Sequence, residues 1–468
     1  MKKKMIVVLN IVGLSPHFIE TKSNVIPNIV SLSKSGAYRK MTPSFPAVTC
    51  SAQATLLSGK PPRDHGIVGN GFFNRRTMRT EFWAQESTLV SGPRIWDIMR
   101  MRDPKAKVAV LFWQNSKYID ADIVVTPSPL HTDTGMTEWC YSKPADYYSA
   151  AVSDKGTLQP TIVGSNSLPL KLPYYEKLTK EIGEFKLMTY WGPMAGEPAS
   201  RWISQAGLST IKNEQPDTTL VYIPHLDYNL QRLGPDSPLI DKDLKIVDDI
   251  VGQYLELQKS YGQDDITLFV ISEYGMTPVK QAVFPNLLLR KHGLLKVREI
   301  NGKEYIDFEL SPAFAVVDHQ VAHIYCQKGF VDEVTRIFKD QEGVGAVLDK
   351  QKVAQLECNH ERAGELILLS RPDSWFAYYY WEDDAKAPFY ARAVDIHNKP
   401  GYDPCELFVD MPTRSIPLKT ELVKGSHGIP GTTDQQKAVM LCSDAALNDY
   451  APEPFNATQF LGMLYRVI

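Results

Sequence analysis

Four nearly unbroken apolar runs punctuate the chain: MIVVLNIV (5–12), KVAVLF (107–112), TTLVYI (218–223) and ITLFVIS (266–272). None alternates polar with apolar positions, as a strand with one wet face would, so each reads as a strand buried on both faces. Between them lie stretches with apolar residues every three or four positions, such as NVIPNIVSLSKSG and LKIVDDIVGQYLELQKSYG, which predict amphipathic helices. Buried strands alternating with such helices predict an α/β fold, a doubly wound and largely parallel sheet covered on both faces. Working residues in that architecture sit just beyond the carboxyl ends of strands. Here those ends read GLSP, PHLDYN and SEYGM.

The rhythm breaks in two places. Residues 127–200 are rich in Pro, Gly, Ser and Tyr and predict an irregular cap segment over a main domain that spans 1–276. Residues 277–420 carry AFAVVDHQVAHIYC, ELILLS and WFAYYYW, then the loop VDIHNKPGYDPCELF, and predict a smaller inserted α+β subdomain. SHGIPGTT then returns the chain to the main domain over 421–468.

Composition narrows the partners. The 468 residues are 43% hydrophobic and 22% charged, an ordinary globular balance with room for a large core. A formal net charge of −3 provides no basic field for nucleic acid or an anionic membrane, so a small-molecule substrate is expected and an oligomer stays open. The six cysteines form no CxxC pair, which argues against a zinc ribbon or a disulfide framework and points to a reducing, cytoplasmic setting. The start, MKKKMIVVLNIVGLSP, is basic and then apolar like a secretory leader, but it contains Asn10, lacks a small-residue cleavage site and reads as a first strand. No run approaches the ~20 apolar residues that span a bilayer.

Candidate chemistry begins in FPAVTCSAQATLLSGKPPRDHGIVGN (45–70), where Thr49 opens a helix-forming run. A hydroxyl there is either an N-cap or a nucleophile, because a helix start offers free N–H groups and a partial positive charge. Lys60 and Arg63 in GKPPRDHG lack the spacing of a phosphate loop and read as surface, and His65 reads as a turn residue. Three later stretches place acids or imidazoles after expected strands: HLD (225–227), SEYG (272–275) and SHG (426–428). Together they outline a metal site.

With these four motifs in order, the sequence resembles the nucleotide pyrophosphatase/phosphodiesterase branch of the alkaline phosphatase superfamily. The likeness rests on FPAVTCSAQATLLSGKPPRDHGIVGN, YIPHLDYNLQRLGP, SEYGM and GSHG. It implies an alkaline phosphatase-like fold, a metal-dependent hydrolase or transferase acting on phosphodiesters, pyrophosphates, phosphonates or related esters, and two divalent ions, usually zinc. Carried over, Thr49 is the nucleophile that forms a covalent phospho-enzyme, and Asn70 is the amide that donates to a phosphoryl oxygen. A bound metal would make such a weak hydroxyl nucleophile reactive.

The departures from the family pattern are specific. Val12 stands where the family has an aspartate after its first strand, Gln231 where it has the histidine of Asp-x-x-x-His, and Glu273 and Tyr274 where it has Asp-His. Asp227 and His427 match. Alternate residues on a strand share a face, so His225 with Asp227, His319 with His323, and Asp395 with His397 are possible substitutes. The expectation is therefore at most one tightly bound ion, zinc first with manganese or iron as alternatives. Its ligands would be Asp227 and His427, helped by Glu273, His225, His323 or His397. Trp113, Tyr274 and Gln231 are expected to touch an anionic small-molecule substrate. Two other readings stay open: a one-metal enzyme for a non-phosphate substrate, and a pseudo-enzyme that binds without turnover.

Overall fold

The computed structural model describes residues 4–129, 131–132, 135–136, 140–144, 173–262 and 264–468. Nine strands form the main sheet: β1 (Met5–Ile11), β2 (Ala37–Thr42), β3 (Val108–Leu111), β4 (Ile123–Pro127), β5 (Cys140–Lys143), β6 (Thr218–Ile223), β7 (Ile266–Ile271), β8 (Ala438–Cys442) and β9 (Phe455–Asn456). Their spatial order is β9-β2-β8-β7-β1-β6-β3-β4-β5. The central strands β7, β1, β6, β3 and β4 are parallel, while β8 and β5 join antiparallel at either side. The four apolar runs of the sequence are β1, β3, β6 and β7. All their residues are buried, because helices cover the sheet, with Glu197–Glu214 packing on β6 and Ile240–Tyr261 on β7.

Strand β1 lies between β7 and β6, in register from Asn10 opposite both Ile271 and Tyr222. The carboxyl ends of three parallel strands therefore open side by side. Gly13 turns the chain just past β1 with φ +80°, and a Cβ there would stand 2.8 Å from the Leu230 side chain. Only glycine suits that turn and close approach.

A second sheet is antiparallel throughout, with strands in the order Ala313–Asp318, Val321–Cys326, Leu366–Ser370 and Val344–Leu348, and it has its own apolar core. Its first two strands are joined by His319 and Gln320, with His319 in the left-handed region at φ +59°. This hairpin tip reaches the main domain, where Gln320 N donates to His427 O at 2.9 Å. Of the irregular cap expected over 127–200, residues 145–172 lie outside the described residues. The part from Tyr174 to Ile182 is a helix. Among the described residues no helix is long and apolar enough to cross a membrane.

Candidate active site

Helix Thr49–Ser58 begins after Val48, which is extended at φ −132° and ψ 155°. Val48 occupies the N-cap position and has no oxygen to offer, so Thr49 is the first helical residue and its hydroxyl caps nothing. Thr49 Oγ1 instead lies 2.8 Å from Tyr274 Oη. The capping is done from a distance by Asn70, whose Oδ1 accepts from Cys50 N at 2.9 Å. Asn70 Nδ2 donates to Asp318 Oδ1 at 3.0 Å, and Asn70 N donates to Asp318 Oδ2 at 2.7 Å. One of the two N–H groups of the amide expected to meet a phosphoryl oxygen is thus used inside the protein. Asn70 fastens the start of helix Thr49–Ser58 to the second sheet.

Around Thr49 gather the three strand ends. Asp227 comes from the first turn of helix His225–Leu233, which follows β6, and Glu273 and Tyr274 follow β7. His427 follows the short strand Gly425–Ser426. His427 Nδ1 lies 2.7 Å from Ala47 O, and since a carbonyl only accepts, that nitrogen carries the proton. Nε2 is then an acceptor, and it faces Asp227 Oδ1 at 3.9 Å. Neither atom has a hydrogen-bond partner among the described residues. Two buried acceptors facing each other call for a proton, a donor or a cation between them. The His427 ring is clamped, with Tyr274 stacked 3.7 Å from it on one side and His319 3.7 Å away centroid to centroid. Tyr402 stacks in turn on His319 at 3.8 Å.

Burial sets the charges. It pushes Asp227 up to about 7 and Glu273 to about 8, although hydrogen bonds from Gln231 in the first case and from Gln53 and Asn10 in the second work the other way. It pushes His427 down to about 3, so the imidazole is neutral. Glu273 Oε1 accepts from Asn10 Nδ2 at 2.6 Å and from Gln53 Nε2 at 2.7 Å, and Oε2 is left without a partner. The Thr49 hydroxyl also acts on this carboxyl.

Other expected residues fall elsewhere. His225 Nε2 turns to Asp243 Oδ1 at 3.0 Å, because His225 opens a helix rather than extending a strand and so does not share a face with Asp227. His323 is saturated by Val68 O at 3.0 Å and Gly364 N at 3.2 Å, and it lies on a strand while His319 sits in the turn, so that pair is split. His397 Nδ1 donates to Phe82 O at 2.9 Å, and Asp395 takes the Asn398 side chain, so they line a wall rather than converge on a ligand. Trp113 is fully buried in the main core and does not touch the cavity. Gln231 lies behind the wall: Nε2 donates to Asp227 Oδ2 at 2.7 Å, and Oε1 accepts from Tyr402 Oη at 3.0 Å. It positions Asp227. Asn10, Gln53, Asp318 and Tyr402 were not singled out in the sequence, although Asn10 inside an apolar strand was a visible signal. A cavity of about 510 Å³ opens from Thr49, Asp227, Tyr274 and His319 toward Trp83 and Trp191.

The family model for type I phosphodiesterases/nucleotide pyrophosphatases matches residues 6–403. The chain belongs to this family. Among curated proteins it is 22% identical over 256 residues to an uncharacterised pyrophosphatase/phosphodiesterase of Schizosaccharomyces pombe, covering 54% of this chain and 41% of that one. It is 21% identical over 273 residues to ectonucleotide pyrophosphatase/phosphodiesterase family member 3 of Mus musculus, covering 58% and 25%. The chain thus spans less than half the length of these curated relatives. Solved structures share the fold. Phosphonoacetate hydrolase of Sinorhizobium meliloti 1021 superposes with a TM-score of 0.62 at 15% identity, covering 100% of this chain and 96% of that one. Murine ectonucleotide pyrophosphatase/phosphodiesterase 5 does so at 0.57 and 15%, covering 99% and 95%.

Divalent-metal dependence is general in this family, and the donors of this chain meet it only in part. Val12 is apolar and fully buried, Glu273 is held by two amides, and the Tyr274 hydroxyl occupies the Thr49 oxygen. Two ions do not fit. Among the described residues no group of three or more His, Cys, Asp or Glu could hold a metal. The orphaned pair Asp227 Oδ1 and His427 Nε2 offers one oxygen and one nitrogen donor for a single ion.

Proposed function

We propose that this chain hydrolyses a phosphodiester, pyrophosphate, phosphonate or related ester, with Thr49 as the nucleophile. The observation that carries the reading is that the Thr49 hydroxyl, free of any capping role, stands in the wall of the cavity at a helix start. In the first step the Thr49 Oγ1–P bond forms as the bond from phosphorus to the leaving oxygen breaks. Glu273, on whose carboxyl the Thr49 hydroxyl already acts, takes the Thr49 proton, since a base with a pKa near the working pH serves best. The leaving oxygen is protonated from solvent. In the second step water attacks the same phosphorus as the Thr49 Oγ1–P bond breaks, Glu273 returns its proton to Oγ1, and the proton lost by the water goes to solvent as the acid is released. Asp227 and His427 would hold one divalent ion, zinc first given a nitrogen and an oxygen donor, and that ion would supply charge neutralisation for the phosphoryl oxygens. Tyr274 and the two rings behind it keep His427 aligned. The fold relatives include an inactive threonine-to-alanine variant of the murine protein with AMP bound, which agrees with a threonine-centred reading. Six unpaired cysteines, five of them buried, agree with a cytoplasmic setting.

The test is to mix protein with bis(4-nitrophenyl) phosphate, quench in acid and look for a phosphoryl adduct on the peptide containing Thr49. An adduct and steady nitrophenol release support the reading, and a substrate turned over equally by Thr49→Ala refutes it. A second reading, binding without turnover, is favoured by one observation: the Tyr274 hydroxyl sits on the nucleophile. Tyr274→Phe separates the two. Under the hydrolytic reading this variant alters the rate, whereas under the binding reading both proteins stay inactive with equal affinity.

A further inference from the structure

The cavity differs from the site beside it in what it lacks. Among the described residues its wall contains no lysine or arginine, and its formally charged members are Asp227 and Asp395. The cations nearby are committed. Lys399 Nζ is buried against Asp403 Oδ2 at 2.8 Å, Glu406 Oε1 at 2.6 Å and Ala393 O at 3.0 Å. The Arg232 guanidinium is spent on Leu407 O, Ala195 O and the Asn229 side chain. Three aromatic side chains of the wall likewise have their polar atoms already used. Trp191 Nε1 donates to Glu406 Oε2 at 2.6 Å, Tyr228 Oη to Tyr190 O at 2.5 Å, and Tyr402 Oη to Gln231 Oε1 at 3.0 Å. Most of what it offers a ligand is ring surface, with Leu187, Met188 and Ile396 beside it, and its further polar side chains, among them Gln114, Thr126 and Asn398, are uncharged. Met188 is 42% exposed, so the rim is apolar as well.

A nucleoside polyphosphate brings several negative charges and needs a cation for each phosphate that enters. Resting on the hydrolytic reading of Thr49, we propose that the cavity takes a bulky apolar or aromatic ester group attached to a singly charged phosphoryl or phosphonyl centre, and discriminates against nucleoside polyphosphates. A volume of about 510 Å³ accommodates such a group together with the reacting centre. Affinity comes from apolar area and ring stacking.

The experiment measures binding on Thr49→Ala, purified without chelator, so that turnover does not interfere. By calorimetry, diphenyl phosphate should bind at least tenfold more tightly than ADP. Ile396→Lys, which adds a cation to the wall without removing a wall hydrogen bond, should narrow that gap by raising ADP affinity. Equal or tighter binding of ADP in Thr49→Ala overturns the proposal, as does failure of diphenyl phosphate to bind at millimolar concentration. Turnover of bis(4-nitrophenyl) phosphate by the unmutated protein is read separately. If it is absent while the tenfold preference stands, the hydrolytic reading fails and the cavity assignment survives.

Discussion

Two clusters of buried carboxylates stand close together in this protein and are neutralised differently. In the loop beside Trp191, Asp403 and Glu406 share Lys399, which is itself only 1% exposed. Burial by itself would lower that lysine, but the two carboxylates outweigh it and hold its pKa above the ordinary value. At the strand ends, Glu273 and Asp318 are just as buried and Asp227 is 13% exposed at its side chain, and neither lysine nor arginine acts on any of them. Their pKa values rise instead. The first cluster supplies its own cation and only has to hold a loop. The second leaves negative charge to be balanced by protons or by something bound, which is the condition of a working site.

The hardest test of that contrast is Thr49→Ala. It removes one small side chain that caps no helix, so the fold should persist while steady-state turnover falls by about 10⁴-fold or more. Circular dichroism and a rate assay on the same preparation check both halves. Next in size is Lys399→Met. It strips the only cation from the first cluster and should cost about 3–5 kcal/mol of stability, measured by urea unfolding.

The fold was legible because its strands are continuous apolar runs, and no polar alternation competes with that reading. That Thr49, Asp227, Glu273 and His427 come together was legible because the motifs that carry them stand at a helix start and just after strands. The substitutes for the missing ligands were misplaced for a physical reason. A spacing of two residues means a shared face only on a strand, whereas His225 and Asp227 begin a helix and His319 occupies a turn. Long-range partners were invisible for another reason: Asn10 and Gln53 meet Glu273 from 263 and 220 residues away, a relation carried by sheet order and not by local pattern.

Asp227→Asn sharpens the contrast from the opposite side. Breaking the compensated cluster should destabilise, but removing an uncompensated buried carboxylate should raise stability by about 1–2 kcal/mol at pH 8 while hydrolysis and metal uptake fall. Thermal melts read the first effect. Titration of zinc into chelator-stripped protein reads the second: one equivalent is expected for the unmutated chain and none held tightly in Asp227→Asn or His427→Ala. Two tight equivalents, or a less stable Asp227→Asn, would remove the distinction between the clusters.

The smallest effect concerns Glu273 and pH. Its folded pKa, raised by burial to about 8, lies above the ordinary glutamate value of 4.5 that holds in the unfolded chain. Between these values the folded state binds the extra proton, so stability falls as pH rises. The contribution is complete below about pH 4.5 and is lost as pH passes through about 8. Asp227 and Asp318, each raised to about 7, act in the same direction, whereas the buried His427 opposes them only below the unfolded histidine range. From pH 6 to 8 the unmutated protein should therefore lose stability steadily, and Glu273→Gln, which cannot ionise, should lose about 1 kcal/mol less per pH unit. Urea midpoints at pH 6, 7 and 8 for the two proteins give this difference directly. Parallel lines would mean that Glu273 is already ionised at pH 6, and the carboxyl would then need the cation that Lys399 gives its neighbours.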